Sequence, residues 1–223
     1  MTSDRGQSAA ASIADDLRDR MLNRQFFPGA PLRESELAQR YTAGRHTVRA
    51  ALAQLSAEGL LVHDRNRGAR VREFTRADIN DAFDLREALE MAAIRIICRD
   101  RPDLTALSAA VDDLDALELA ESHTPGHAAS WQTLEADRAV HQAMIDATGS
   151  SRIGRSYSTI SNEIRYCYAI LRVTAMPPDE QEHRAIFDAL TSADADAALA
   201  LIVPHLQEGR EQCLSALPAT ADA

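Results

Sequence analysis

The sequence predicts a mainly α protein in two unequal parts. The first is a small unit of helices closed by a β-hairpin, and the second is an all-α helical bundle of about six helices. Three observations carry this. Apolar residues recur at helical spacing along most of the chain. Residues 33–71 hold two short helix patterns, a break at Thr42-Ala43-Gly44, and two apolar runs, Leu60-Leu61-Val62 and Ala69-Arg70-Val71, on either side of Asp64-Arg65-Asn66-Arg67-Gly68. Beyond residue 74 the pattern offers helices and no convincing strand, and the 4% aromatic content with abundant Ala and Leu agrees.

Residues 1–9 read as a disordered tail, and the first unit runs over 10–73. Its first helix is expected over 12–24, with Ile13, Leu17 and Met21 on one face and Ser12 at the N-cap. Phe26-Phe27-Pro28-Gly29 then turns the chain. A short helix follows around Leu37 and Ala38. The break after it is Thr42-Ala43-Gly44. The next helix starts at Arg45 with Val48, Leu52 and Leu55 inward, behind Gly44, which has no hydroxyl for a cap. Gly59 ends it with a left-handed cap. The two apolar runs form a hairpin around turn residues. Helix, tight turn, helix and basic hairpin in that order make a winged helix-turn-helix, whose second helix enters the DNA major groove. Arg45, His46, Thr47 and Arg49 crowd the amino end of that helix, away from its apolar face, where side chains reach base edges. Arg65 and Arg67 fall at the wing tip. His63 lies near the wing.

The second unit is expected over 74–217, starting at Glu73-Phe74-Thr75 with no flexible linker. Thr75 is a plausible cap, supported by Asp78 at the third helical position. Helices are expected over 76–99, 103–121, 127–147, 151–175, 179–191 and 194–216. In the first of these Ile79, Phe83, Leu85, Leu89, Ala92, Ala93 and Ile96 are expected inward; in the second, Leu104, Leu107, Val111, Leu114 and Leu117. Arg101-Pro102-Asp103, His123-Thr124-Pro125-Gly126, Gly149, Pro177-Pro178 and Thr191-Ser192-Ala193 separate them. Residues 218–223 read as a frayed tail. Six helices of this length make a bundle.

The net charge of −10 argues against a nucleic-acid partner until it is divided along the chain. Residues 1–73 hold 12 Arg and 9 acidic groups, whereas 74–223 hold 12 Arg and 25 acidic groups; the balances are +3 and −13. The first part can face DNA while the second is repelled from it. No run of about 18 apolar residues is present and the first residues lack the apolar stretch of a signal peptide, so no membrane association is expected. Cys98, Cys167 and Cys213 form no close pair in sequence and read as thiols in a reducing cytoplasm.

The bundle carries four metal-type ligands. Asp137 and His141 are four residues apart, on one helix face. They share a stripe with Leu134, Met144 and Ile145, so they point inward. His183 and His205 lie on two later helices. Three histidines and one aspartate suit an ion taking nitrogen and oxygen donors, such as Zn²⁺, Ni²⁺ or Mn²⁺. A buried Asp without a partner is costly, and a cation removes that cost. From spacing alone the same residues also read as a solvated acid and satisfied core histidines. Pro204 inside the last helix is expected to bend it next to His205. His123 and His127 lie in or beside a loop and read as solvated.

These residues resemble two known patterns. Phe27-Pro28-Gly29-Ala30-Pro31-Leu32, Glu36-Leu37-Ala38, Arg45-x-x-Val48-Arg49-x-Ala51-Leu52, Leu55-x-x-Glu58-Gly59-Leu60-Leu61 and Arg67-Gly68-Ala69-x-Val71 resemble the GntR family of bacterial transcription regulators. The departures are Ser35, where some relatives carry arginine, and Thr42-Ala43-Gly44 in the turn, where glycine usually comes first; the resemblance thus implies a positive φ at Thr42, which strains a β-branched residue more than glycine. Residues 76–215 resemble the helical effector domain, FCD, of the FadR-like subfamily. Asp137, His141, His183 and His205 match its metal ligands in order, and Leu85-Arg86-x-x-Leu89-Glu90 matches its first helix, whose arginine faces a pocket. Ser150 stands where Asn is usual. The resemblance implies a DNA-binding transcription regulator rather than an enzyme, on the bacterial nucleoid in the cytoplasm. It implies DNA contacts from Arg33, Ser35, Arg45, His46, Thr47, Arg49, Arg65, Arg67 and Gly68. It implies a small organic acid effector held by the ion with Arg86, and with Arg165 and Arg172 as weaker candidates. It also implies a homodimer on a palindromic double-stranded DNA operator. Two alternatives stay open on the residues: a metal-dependent hydrolase with an accessory DNA-binding domain, in which Glu182 is a candidate base, and a DNA binder with a purely structural ion.

Overall fold

The computed structural model describes residues 3–22, 25–64, 68–122, 131–171 and 182–217. The first helix, α1, spans Ser3–Leu22, so residues 3–9 are helical rather than a disordered tail, and Ser12 lies inside the helix rather than at its cap. The Ala9-Ala10-Ala11 run has high helix propensity, and Ala10 is buried, which together carry the helix back past residue 12. Ile13, Ala14, Leu17 and Met21 pack on the next helices.

A two-residue strand, β1 (Pro31–Leu32), follows, then α2 (Glu34–Arg40) and α3 (Arg45–Ala57). The hairpin strands are β2 (Leu61–Asp64) and β3 (Gly68–Val71). The sheet has three strands in the order β1-β3-β2, all antiparallel, with Leu32 opposite Ala69 and Leu61 opposite Val71. Sequence periodicity misses β1 because two residues show no period. Val48, Ala51, Leu52 and Leu55 of α3 are buried as expected.

Two helix ends in this unit use the same motif with different residues. At the end of α3 the Gly59 amide bonds to Ser56 O and the Leu60 amide to Leu55 O, with Gly59 at φ +79°. At the end of α2 the Thr42 amide bonds to Gln39 O and the Ala43 amide to Ala38 O, with Thr42 at φ +49°. Both are Schellman closures. Only glycine adopts this region without a Cβ clash, so Thr42 holds strain.

The bundle consists of α4 (Arg76–Asp100), α5 (Thr105–Ser122), α6 (Trp131–Ala147), α7 (Ser151–Leu171), α8 (Glu182–Thr191) and α9 (Ala195–Ser215). Thr75 and Asp78 form the expected capping box: Thr75 Oγ1 accepts from the Asp78 amide and Asp78 accepts from the Thr75 amide. In α5 Leu107, Val111 and Leu114 are buried, while Leu104 and Leu117 are half-buried. The expected inner face of α4 is wrong in part. Leu85 is 44% exposed, and Leu89, Ala92 and Ile96 are half-buried. Ile79, Ala82, Phe83, Arg86, Glu90, Ala93, Ile94 and Ile97 are inside. The apolar stripe misleads because a charged pair four residues apart, Arg86 and Glu90, occupies the middle of the buried face. Cys167 and Cys213 are buried and Cys98 is half-buried, all with free thiols. The expected loop at 123–126, the ends of the expected helices at 127–130, 172–175 and 179–181, the histidines His123 and His127, and the tail 218–223 lie outside the described residues. Among the described residues no helix is long and apolar enough to cross a membrane.

Replacing Thr42 by Gly relieves the positive-φ strain. We expect the variant to be more stable by roughly 1 kcal/mol in denaturant unfolding, with an unchanged m-value. A loss of stability would show that Thr42 is held by contacts other than its backbone.

Candidate metal centre and nucleic-acid interface

On the amino end of α3, Arg45 and His46 are exposed and Thr47 is half-buried. Gly44 at the N-cap makes no side-chain cap bond, so the first turn's amides face outward. Arg49 is exposed but engaged: its Nε donates to both Glu34 oxygens at 2.8 and 2.9 Å. Arg33 pairs with Glu36 at 2.9 Å, and Ser35 is exposed beside them. Gly68 takes φ +75° at the start of β3. Arg65 and Arg67 lie outside the described residues. The two acids hold Arg33 and Arg49 in place at the surface, where exposed pairs are worth little.

The four expected ligands converge although they come from three helices. Asp137 and His141 are on α6, His183 on α8 and His205 on α9. Their donor atoms all lie within 4.8 Å of one another. His141 Nε2 is 3.0 Å from His205 Nε2 and 3.4 Å from His183 Nε2. Asp137 Oδ1 is 3.1 Å from His183 Nε2, 3.7 Å from His141 Nε2 and 3.9 Å from His205 Nε2. Ligands about 2.0–2.2 Å from one ion stand roughly 3–4.4 Å apart, so the set has the right size. The helix α9 runs on through Pro204, and His205 keeps its place in the cluster.

The outer contacts fix which ring nitrogens face the centre. His141 Nδ1 is 2.7 Å from Glu90 Oε2, and His205 Nδ1 is 2.8 Å from Glu182 Oε2. Ionised carboxylates only accept, so each Nδ1 carries the proton and each Nε2 is left with its lone pair. Two lone pairs then face each other at 3.0 Å, beside a buried carboxylate oxygen, Asp137 Oδ1, that no donor satisfies. A cation at this point removes the repulsion and partners the oxygen, so the donor set fits a divalent ion.

Glu90 is the hub behind the site. Burial alone would raise its pKa, but His141 and Arg86 overcome this and hold it at about 2. Its Oε1 accepts from Arg86 Nε at 2.7 Å and from Tyr157 OH at 2.9 Å. For Asp137 burial is likewise outweighed, by His141 and His183, and its carboxyl sits well below the ordinary range. Burial lowers the His205 pKa. The hydrogen bond to His205 lowers that of Glu182, which orients His205 rather than standing free as a base.

Next to Asp137 a small recess, partly open to solvent, is lined by Arg86, Leu134, Glu135, Arg138, Tyr157, Ser161, Ile164, Arg165 and Tyr168. Arg86 and Arg165 therefore reach this recess, while Arg172 lies outside the described residues. Sequence reasoning missed Tyr157, Ser161 and Tyr168 as lining residues, and Glu135 and Arg138 at the rim. It quoted Glu90 only as part of a motif. Its signal was present: opposite charges four residues apart in phase with Phe83 and Ile97.

A winged helix-turn-helix joined to a helical domain that gathers four metal-type donors beside a recess defines a class, that of two-part transcription regulators. The chain matches bacterial regulatory proteins of the gntR family over residues 9–71 and the FCD domain over 81–208, so it belongs to the GntR family and carries an FCD domain. It is 28% identical to a GntR transcriptional regulator from Rhodococcus sp. RHA1 of known structure, with a TM-score of 0.77 over 95% of this chain and 100% of that one. It is 27% identical to the Nta operon transcriptional regulator of Aminobacter aminovorans, covering 85% of this chain and 87% of the relative. It is 24% identical to the HTH-type transcriptional regulator YdhC of Bacillus subtilis (strain 168), covering 88% and 92%. The family and these relatives are transcription regulators rather than enzymes, which sets aside the hydrolase alternative.

Glu90→Ala strands the Arg86 guanidinium in the interior and frees the His141 ring. We expect a loss of roughly 3–5 kcal/mol in unfolding free energy. Glu90→Gln keeps the shape and should instead weaken Zn²⁺ binding about 10–100-fold in a competition titration. Full Zn²⁺ affinity in Glu90→Gln would show that Glu90 serves packing alone.

Proposed function

We propose that operator binding by this regulator is controlled by a small organic acid held in the recess beside a divalent ion on Asp137, His141, His183 and His205. The ion would supply a Lewis-acid centre for one carboxylate oxygen. Arg86 would give the same carboxylate a charge-assisted hydrogen bond, because only its Nε is engaged by Glu90 among the described residues. Zn²⁺, Ni²⁺ and Mn²⁺ all suit three nitrogens and one oxygen. Arg33, Ser35, Arg45, His46, Thr47, Arg49 and Gly68, with Arg65 and Arg67 of the wing, are the proposed contacts to double-stranded DNA.

One observation carries the control reading: α7 belongs to both sites. Tyr157, Ser161, Ile164, Arg165 and Tyr168 line the recess. From the same helix Glu163 pairs with Arg72 at 3.1 Å, and Tyr166 OH donates to Glu58 Oε2 at 3.4 Å. Glu58 is the C-cap of α3 and is also gripped by Arg18 of α1. A ligand that favours one placement of α7 therefore favours one placement of α3, which is the differential contact that population shift requires. A structural ion is the rival reading, and the burial of all four ligands favours it.

The deciding measurement is the thermal midpoint against a panel of small organic acids, with Zn²⁺ bound and after chelation. The effector reading expects one class of acid to raise the midpoint only with the ion bound. No shift with any acid would favour the structural ion. In Tyr166→Phe we expect the same midpoint shift but a smaller change of operator affinity on adding the acid. An unchanged operator response would place the coupling elsewhere. We also propose a homodimer, since paired winged helices match two-fold operators. Sedimentation should then give twice the chain's 24.4 kDa, and a stable monomer at working concentration would refute it.

A further inference from the structure

We infer that the outward face of α4 is where a second copy of this chain docks, with the two α4 helices antiparallel across a two-fold axis. The inference rests on the homodimer proposed above and adds its surface. The apolar stripe of α4 that the sequence turns inward is left partly outward by the fold. The buried face, from Ile79 to Ile97, packs against α6, α7, α8 and α9. On the other side Leu85 and Ala88 are exposed, and Leu89, Ala92 and Ile96 are half-buried. One exposed leucine is ordinary, but this one belongs to a stripe. Asp81, Leu85, Ala88, Ala92, Arg95 and Arg99 follow one another at alternating steps of four and three residues, the seam of a helix pair.

The charges on this seam choose the partner and its direction. Asp81 lies toward the amino end of the helix and Arg95 and Arg99 toward the carboxyl end, all exposed. Asp84 is taken by Arg210 at 2.7 Å and Arg99 by the adjacent Asp100 at 2.6 Å. Asp81 and Arg95 have no ion-pair partner among the described residues. A parallel copy sets Asp81 on Asp81 and arginine on arginine, which repel. An antiparallel copy sets Asp81 opposite Arg99 and within a turn of Arg95. At the middle it sets Ala88 opposite Ala92, and small residues there let the axes approach to about 8–10 Å. Leu85 then lies over the aliphatic stem of Arg95 of the other copy. The pairing also separates the DNA-reading units, because α4 follows the wing directly from its Thr75 cap. With the pair centred near residue 90, the two Thr75 stand roughly 45 Å apart at about 1.5 Å per residue. That is of the same order as the roughly 34–36 Å between half-sites one DNA turn apart.

The test is sedimentation equilibrium of the full-length protein. Ala88→Glu puts a charge at the centre of the seam, at a position exposed in the single chain. We expect the Kd of the dimer to rise at least about 100-fold with helix content by circular dichroism unchanged. Asp81→Arg should weaken the dimer about tenfold, and adding Arg95→Asp with Arg99→Asp should recover most of that loss. A dimer unaffected by Ala88→Glu would overturn the inference while leaving the homodimer reading intact. So would a triple variant no tighter than Asp81→Arg alone. A monomer in the unmodified protein would overturn the homodimer reading, and this inference with it.

Discussion

The helical domain is organised around a problem of buried charge. Asp137, Glu90, Arg86 and three histidines sit among apolar helices, all nine-tenths or more out of water. Isolated charges there would be too costly to keep, so each is tied to another. Arg86 answers Glu90, Glu90 turns the His141 ring, and Glu182 turns the His205 ring. The chain of contacts ends at Asp137 Oδ1 and the Nε2 atoms of His141 and His205, which are all acceptors, with His183 Nε2 beside them. The helices α4, α6, α8 and α9 must all be in place for that set to form. The bundle and the site are therefore one structure rather than a scaffold with a site added.

The same helices join the bundle to the DNA-reading unit through α7. The junction includes the polar contacts of Arg72 with Asp78 and Glu163 and of Tyr166 with Glu58, beside the packing of α1 on α7. Arg72 and Glu58 belong to the DNA-reading unit and end, respectively, the wing and the recognition helix.

Charge is partitioned to match. The DNA-reading unit is balanced at +3 and the bundle at −13. Local positive groups on the reading face are held by acids, as Arg49 is by Glu34 and Arg33 by Glu36. These pairs hold the two arginines in place at the surface. Nearby, Thr42 closes α2 in a conformation usual for glycine, so this chain holds its helix-turn-helix angle at a local cost.

The sequence by itself determined the elements, because periodicity and caps are local. Thr75 with Asp78, Gly59, and the apolar stripe of Val48, Leu52 and Leu55 all act within a few residues of one another. It also offered Asp137, His141, His183 and His205 as candidate ligands, a reading that spacing alone left open and the resemblance to the FCD domain favoured. Tertiary structure alone decided what short or charged segments do. β1 exists only because β3 lies beside it. The inner face of α4 is set by Arg86 and Glu90, whose burial is tolerable only because each neutralises the other and His141 waits 51 residues away in the chain. Glu135, Arg138, Tyr157, Ser161, Arg165 and Tyr168 become one recess because α6 and α7 pack side by side with α4. No period in the sequence encodes such a meeting, since the distances that define it run across helices rather than along them.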